Sequence, residues 1–408
     1  MPNNIDLTPP RRRFLSKVGQ VGVALGAGMV GAGATLTTAC QDGQNNQNHQ
    51  SKTLPHPDSQ KTHPFYGTHQ AGITTPQQKH CYFLVMDLHD KQANFDKQQI
   101  AKLFATWTQM ADKLMQGKNV ADYAKNPHLP PTDTGEADNL GAWSLTLTFG
   151  VADTFFDKLG INHKKPVELA PLPKFPRDQL KPALTGGDLC IMACSDDPQV
   201  AFHAVRQLVR AGRSLVNLKY AQTGFVSFDD DNTPRNLFGF KDGTANRQTT
   251  PEDIWLDGDF ANSTYLAVRT IAMHLETWDR TSLKAQEDTF LRHRQTGAPL
   301  GKTDEFAPLD TAAQGAEVAH STLAKATNER MLRRAYSYNN GINQTTGQFD
   351  TGLLFLSFQK SPQAFIRIQN ALGNQDKMTE YTTHIGSGLF WCFAGVQEGG
   401  FLGQTLFE

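Results

Sequence analysis

Short apolar runs typical of β-strands recur along this chain and alternate with amphipathic stretches typical of α-helices. The strand-like runs are 81–86, 143–149, 189–194, 265–275, 353–358 and 389–393, and the helical stretches are 95–115, 198–215, 282–294 and 362–372. Elements interleaved at these spacings pack as sheets with helices on one face. We therefore predict an α+β protein of two similar units, each an antiparallel β-sheet with packed helices.

Composition sets the boundaries of these units. The stretch 41–62 is rich in Gln and Asn and holds one aliphatic side chain, Leu54, so it cannot bury enough surface to offset its ordering entropy. We predict a disordered tether over 41–63. The polar, turn-rich stretch 229–234 marks a second boundary. The expected domains are then 64–230 and 231–408.

The first forty residues have the pattern of an export signal. Arg11-Arg12 is followed by Phe14-Leu15 and then by an uncharged run, 18–39, that contains six glycines. This resembles a twin-arginine signal peptide, which predicts export to the periplasm and removal of the leader by cleavage after Ala34 or Ala39. A transmembrane helix is the alternative, and the glycines weigh against it. Acylation of Cys40 as a lipid anchor also stays open.

Several classes of protein are disfavoured. Lys and Arg number 39 against 40 Asp and Glu, without the basic excess that a nucleic-acid partner requires. The thirteen histidines include no His-x-His pair, as a multicopper oxidase would need, and no Gly-x-Gly-x-x-Gly follows a strand. Four of the five cysteines lie in apolar strands and are expected to be buried structural thiols: Cys81, Cys190, Cys194 and Cys392.

Among the histidines, one stands apart by its context. We place His203 on the polar face of its helix and His274 on the polar face of its strand, as solvated or satisfied side chains. His320 instead follows the short, mostly apolar segment 316–319. It lies thirteen residues before Arg333, which belongs to an aromatic-rich strand. Spacing alone leaves open whether His320 is a ligand.

The sharpest local signal is the stretch 239–246, Gly-Phe-Lys-Asp-Gly-Thr-Ala-Asn. Glycines on both sides of Asp242 let the backbone approach a flat ligand while the carboxylate is held at a defined angle. An Asp-Gly turn between strands is the simpler interpretation. The residues by themselves favour neither.

Gly239-x-x-Asp242-Gly243 with its Thr-Ala-Asn continuation resembles the signature of dye-decolorizing peroxidases, haem enzymes of two ferredoxin-like domains. The resemblance extends over most of the chain beyond the tether. Further matching segments are 64–67, 70–77, 186–190, 274–280, 297–301 and 332–338. Together they resemble the exported deferrochelatase/peroxidase branch that accompanies a ferrous-iron uptake system.

The resemblance implies particular roles for particular residues. His320 would be the axial ligand of the iron of one haem b per chain, bound in the C-terminal domain. Asp242 and Arg333 would act on peroxide, the first as proton acceptor and donor and the second as a fixed positive charge. The implied haem contacts beside Asp242 are Gly243, Thr244 and Ala245.

The resemblance also implies an activity and partners. We expect a haem peroxidase that oxidises dye or phenolic donors with H2O2, and a deferrochelatase that releases iron from haem to leave protoporphyrin IX. Components of a ferrous-iron uptake system and a second copy in a homodimer are the expected protein partners. The alternative is an exported haem carrier without catalysis, which would not need Asp242 and Arg333.

Overall fold

The computed structural model describes residues 56–89, 96–122, 126–227 and 233–408. The predicted signal peptide, with Cys40, and the predicted tether up to residue 55 lie outside these ranges, as do 228–232 at the predicted domain boundary. Within the described ranges, no helix combines the length and the apolar character needed to cross a membrane.

Nine strands and eight α-helices alternate along the described chain. The strands are β1 (His80–Leu88), β2 (Thr146–Val151), β3 (Leu189–Ser195), β4 (Val216–Phe225), β5 (Thr264–Met273), β6 (Leu332–Arg333), β7 (Tyr336–Ile342), β8 (Phe349–Gln359) and β9 (Thr382–Cys392). The helices are α1 (Lys97–Met115), α2 (Asp153–Leu159), α3 (Pro198–Gly212), α4 (Pro251–Ile254), α5 (Leu275–Asp279), α6 (Leu283–Phe290), α7 (His320–Lys325) and α8 (Pro362–Leu372). The mixed α+β class is confirmed.

The strands form one antiparallel sheet that closes on itself. The first four strands lie side by side in the order β2-β3-β1-β4, that is, second, third, first, fourth along the chain. The strands β5, β7, β8 and β9 form a second set of four and lie in the same order, as β7-β8-β5-β9. The two sets join through β2 with β9 and through β4 with β7. The short strand β6 pairs with β8 beyond the end of β7. The result is a closed ring in which both sets contribute strands.

Side chains alternate between two apolar cores across this ring. On β1, Cys81, Phe83 and Val85 pack with residues from β3, β5, β7, β8 and β9 inside the ring. Leu84 and Met86 point the other way, into the core that the helices cover. Strand periodicity of two produces both faces, and burial on both explains why these strands read as nearly continuous apolar runs.

Capping residues define where the helices begin. Pro198 opens α3 after Asp197, whose carboxylate accepts hydrogen bonds from two backbone N–H groups of the first turn. Ser361 caps α8 in the same way, and α8 spans the predicted 362–372. Strand β5 ends at Met273, not at the predicted Leu275, because His274 caps the short helix α5.

Two predictions about local structure were wrong, and the structure decides between the two alternatives given for His203, which is buried and paired with Asp133 and Glu136. Strand β2 begins only at Thr146, because Trp143 and Ser144 adopt φ values of 45° and 56°. Residues 56–63, placed in the tether, include the 3-10 helix Pro57–Gln60, and Ser59 O accepts the N–H groups of Ala142 and Trp143. His203 is 3% exposed, because the segment 133–136 covers what the helical pattern predicts to be a polar face.

Candidate functional site

One cavity in the C-terminal part of the fold brings together all six residues singled out from the sequence. It is bordered by the loop after Pro234, by β5, β8 and β9, and by α6, α7 and α8. The predicted residues on its wall are Asp242, Gly243, Thr244, Ala245, His320 and Arg333. Residues from three separate stretches of the chain therefore share one site.

His320 is the first residue of α7, directly after the buried Ala319. Its Nδ1 lies 2.7 Å from Asp376 Oδ2. Asp376 is itself fixed, since its other carboxylate oxygen caps the 3-10 helix Lys377–Glu380. The hydrogen bond assigns the proton to Nδ1 and leaves Nε2 as the nitrogen that is free to bind a metal.

The charges around His320 also set its proton affinity. Burial opposes the charged imidazolium, but the neighbouring Asp376 carboxylate outweighs this and raises the pKa of His320. Arg333 lowers that pKa and Asp242 raises it to smaller extents. All three charged groups are thus close enough to the imidazole to act on it.

Asp242 and Arg333 form an ion pair on the cavity wall, with Oδ1 and the guanidinium Nη1 3.0 Å apart. The Asp242 N–H donates to Pro234 O, which closes the loop that carries it. Arg333 is held through its backbone, because the Asn246 amide accepts from Arg333 N and donates to Arg333 O at 3.1 and 2.7 Å. The loop and the strand are therefore joined at two points.

Gly243 is required by the backbone at this position. Its φ of 124° lies in the region that L side chains rarely adopt, and it leads into the 3-10 helix Thr244–Gln248. The turn presents Thr244 and Ala245 to the same cavity. The interpretation of 239–246 as a simple hairpin turn is therefore wrong, because the loop continues into this helix rather than into a strand.

A buried carboxylate holds the loop that carries Asp242 in place. Glu305, 8% exposed, accepts hydrogen bonds from Lys241, Thr233 and Thr244. Burial disfavours the charged carboxylate, yet these donors together lower the pKa of Glu305. Gly297 permits the arrangement, since a Cβ there would lie 2.6 Å from Lys241 Cδ.

Sequence reasoning missed Asp376, Asn246 and Glu305. Asn246 belongs to the motif 239–246, but the motif does not predict that its side chain hydrogen-bonds to the Arg333 backbone. Asp376 and Glu305 lie 56 and 64 residues from the groups that they hold. Each is an acidic residue outside the predicted helices and strands, and no local pattern distinguishes it from a solvated one.

The remaining wall of the cavity combines apolar and basic side chains. The apolar ones are Phe240, Ile271, Phe290, Leu353 and Phe355, and the basic ones include Arg177, Lys325 and Arg330. His384 adds a neutral imidazole: burial and the adjacent Arg269, which donates to its Nδ1, lower the pKa of His384 to about 3. Such a wall suits a flat apolar group with acidic substituents.

The donor set agrees with haem rather than with a bare metal ion. In the part of the chain that the structure describes, no group of three His, Cys, Asp or Glu side chains is arranged to hold a metal. A single imidazole with its other nitrogen bound to a carboxylate is one of the protein ligands that hold haem iron. The residues present therefore fit a haem.

Comparisons with known proteins agree with this site. The family model described as "Dyp-type peroxidase, N-terminal" matches residues 70–226, and "Dyp-type peroxidase, C-terminal" matches 233–397. Deferrochelatases of Escherichia coli strains UTI89 and K12 are each 33% identical, over 98% and 96% of this chain and 97% and 95% of theirs.

Solved structures match as well. DtpA from Streptomyces lividans is 32% identical, with a TM-score of 0.79, over 86% of this chain and 98% of that chain. A DyP-type peroxidase from Cellulomonas bogoriensis is 33% identical, with a TM-score of 0.78, over 86% of this chain and all of that one. The chain therefore belongs to the Dyp-type peroxidase family of haem enzymes.

Proposed function

We propose that this protein is a haem b peroxidase that oxidises dye or phenolic donors with H2O2, and that it also removes iron from haem. The observation that carries the proposal is the shared cavity: one imidazole with a free Nε2, and an aspartate–arginine pair, line the same cavity. The names of the deferrochelatase relatives support the second activity.

We infer the following roles. His320 would hold the haem through Nε2, and the hydrogen bond from Nδ1 to Asp376 would keep the ring oriented and increase its basicity. Gly243, Thr244 and Ala245 would line the haem beside Asp242. Bound haem supplies the iron to which peroxide binds and stores the oxidising equivalents.

The chain's own residues account for the proton movements. Asp242 would accept the proton from one oxygen of H2O2 and return it to the departing oxygen, as a general base and then a general acid. Negative charge develops on that departing oxygen. Arg333, which does not deprotonate, would stabilise this charge. The ion pair between them holds both groups in place before peroxide arrives.

Iron removal needs protons rather than electrons from the protein. The pyrrole nitrogens must be protonated as the iron departs, and Asp242 in its protonated form is the candidate donor. Release of protoporphyrin IX during anaerobic incubation with haem, detected by its fluorescence, tests this activity separately from peroxidation.

The architecture and surroundings of the enzyme belong to the same proposal. The repeated strand order supports two ferredoxin-like domains, with haem held by the second. The pattern of 11–39 supports twin-arginine export to the periplasm, with acylation of Cys40 still open. We further propose one haem per chain, a homodimer, and cooperation with components of a ferrous-iron uptake system.

The decisive experiment compares wild-type protein with Asp242→Asn. Purified haem-loaded protein is mixed rapidly with one equivalent of H2O2, and the Soret band is followed. We expect a fast spectral change in the wild type, and retained haem with a rate at least about a hundredfold lower in the variant. A passive haem carrier predicts no fast change in either protein.

A further inference from the structure

His384 is the second imidazole that borders the cavity of His320. It lies on β9, opposite Ile271 on β5, and is half-buried. Its Nδ1 lies 3.1 Å from Arg269 Nε, and no other side-chain hydrogen bond to this imidazole is present in the described part of the chain. Its Nε2 is therefore available to a group that occupies the cavity.

The partner of each imidazole decides which nitrogen carries the proton. A guanidinium only donates hydrogen bonds, so Nδ1 of His384 accepts from Arg269 and the proton lies on Nε2. An ionised carboxylate only accepts, so the proton of His320 lies on Nδ1, facing Asp376. The two cavity imidazoles thus have opposite tautomers. His320 offers a bare Nε2 to a metal, whereas His384 offers an N–H donor and cannot bind a metal through that nitrogen.

Arg269 is held firmly behind His384. Its side chain is 0% exposed, its Nη2 forms an ion pair with Asp178, and its Nη1 donates to Ser387 Oγ at 3.0 Å. The charge of the guanidinium is therefore compensated by Asp178 within the protein. Burial, followed by the charge of Arg269, lowers the pKa of His384 to about 3, so the imidazole is neutral at neutral pH. Arg269 thus orients the imidazole and leaves the contact with a ligand to Nε2.

A segment from the first half of the chain brings a cation to the same cavity. Residues 175–181 run beside β9, and the Gln179 N–H donates to His384 O at 3.0 Å. Arg177, in the same segment, is exposed, borders the cavity and donates from Nη1 to Thr379 Oγ1 at 2.6 Å. An exposed cation and a neutral N–H donor on one cavity wall are the groups that suit a carboxylate.

We propose that His384 determines ligand specificity by donating a hydrogen bond from Nε2–H to a carboxylate substituent of the bound macrocycle. Arg177 adds positive charge near that carboxylate, and the buried pair of Arg269 and Asp178 keeps the imidazole in the donor tautomer. A macrocycle whose carboxylates are esterified carries no negative charge there and should be held less firmly. This role rests on the haem binding proposed above, and it is independent of peroxide chemistry and of iron removal.

The rate at which the loaded protein loses its macrocycle tests this role. The full-length protein is loaded with haem or with haem dimethyl ester, and transfer to excess apomyoglobin is followed by absorbance. His384→Asn keeps an acceptor for Arg269 but is too short to place a donor where Nε2 lies. We expect this variant to lose haem about ten- to a hundredfold faster than the wild type, and to lose the ester only a few-fold faster. Equal factors for the two macrocycles would overturn the proposal.

Two further variants at the same position isolate the donor. The side-chain amide of His384→Gln reaches the position of Nε2 and can donate, so we expect this variant to retain haem more firmly than His384→Asn does. A glutamine variant that loses haem as fast as the asparagine variant would contradict a donor at this position. Should His384→Asn not fold, His384→Phe takes its place, because its ring fills the same space without a donor.

His274→Asn is the matched control. His274 is also half-buried, and its Nε2 lies 2.9 Å from the hydroxyl of Thr383, the residue before His384, but His274 does not border the cavity. The control therefore disturbs the same part of β9 without removing a donor from the cavity. We expect it to change the loss of haem and of the ester by the same factor.

The ferric absorption spectrum distinguishes a hydrogen-bond donor from an iron ligand. We expect haem-loaded His384→Asn to keep the spin state of the wild type, and a changed spin state would make His384 an iron ligand and overturn the proposal. A wild-type protein that binds no haem would instead contradict the proposed function. A protein that holds haem without reacting with H2O2 would contradict only the peroxidase activity, and the difference between haem and its ester would still decide the role of His384.

Discussion

The two halves of the ring have the same strand order but use their outer faces differently. In the first half, the helices α1 and α3 pack directly on the strands, and Phe104, Trp107 and Phe155 fill the space between them. In the second half, the corresponding side borders the cavity of His320. The same arrangement of strands thus gives a filled core in one half and a binding site in the other.

Helix length accounts for much of this difference. Helix α1 has 19 residues and α3 has 15, which is enough to cover the face of the first four strands. In the second half, the helices that border the cavity are shorter, with eight residues in α6, six in α7 and 11 in α8, and irregular segments join α6 to α7. Short helices leave part of the sheet uncovered, and loop residues such as Asp242 and Asp376 reach the space.

Polar groups follow the same division. The first half buries His203 against Asp133 and Glu136, with Asp133 also accepting from Gln207. This cluster attaches a loop to α3 and lies outside the cavity. In the second half, the buried carboxylates Asp376 and Glu305 hold groups that face the cavity. Buried charge secures structure in one half and positions the site in the other.

The variant with the largest expected effect tests whether the cavity is a haem site. His320→Ala removes the only side chain proposed to bind the iron, so we expect loss of the Soret band from purified protein. His293→Ala, with a side chain 40% exposed and Glu287 as its ionic partner, is the control and should keep its haem. Full retention of haem by His320→Ala would contradict a haem site in the cavity of the second half.

The filled core of the first half should be far less tolerant of truncation than the cavity wall. Trp107, 1% exposed, donates its indole N–H to Leu208 O, and we expect Trp107→Ala to lower the free energy of unfolding by about 3–5 kcal/mol. Phe355→Ala, whose ring borders the cavity, should cost less. Urea unfolding of both variants checks this, and equal losses would contradict a filled first half.

The hydrogen bonds between the Asn246 side chain and the Arg333 backbone provide a smaller test within the second half. Asn246→Ala removes two hydrogen bonds to the Arg333 backbone, worth about 1 kcal/mol each. We expect the rate of reaction with H2O2 to fall roughly tenfold or more, with haem binding kept. Gln363→Ala, which removes an exposed amide in the first turn of α8, is the control. An unchanged rate would mean that β6 alone places Arg333.

The smallest expected effect concerns pH. The folded-state pKa of Glu305 lies below its usual value of 4.5, so the unfolded chain binds more protons as the solution becomes acidic. The stabilisation is fully present above pH 4.5 and is lost as the pH falls through the lowered folded-state value. We expect Glu305→Gln to flatten stability over that range. A pH profile equal to that of the wild type would show that the hydrogen bonds to Glu305 do not contribute to stability.

Much of this protein can be predicted from its sequence, because strands and helices leave local periodic patterns. Six strand-like runs and four helical stretches correspond to observed elements, and the motif around Asp242 marks a loop that does line the cavity. Glycine and proline positions carry the same local information. Gly243 needs a left-handed backbone, and Pro198 opens a helix.

Tertiary structure alone decided which distant groups meet. The hydrogen bond between His320 and Asp376 spans 56 residues, and the ion pair between Asp242 and Arg333 joins a loop to a strand. The sequence left open whether His203 is solvated or satisfied for the same reason, since a loop covers its helix face. Local pattern records what each residue prefers, whereas contacts across the ring depend on how it closes. Sequence therefore determined the elements, the family and the candidate residues, and the closed sheet determined their partners.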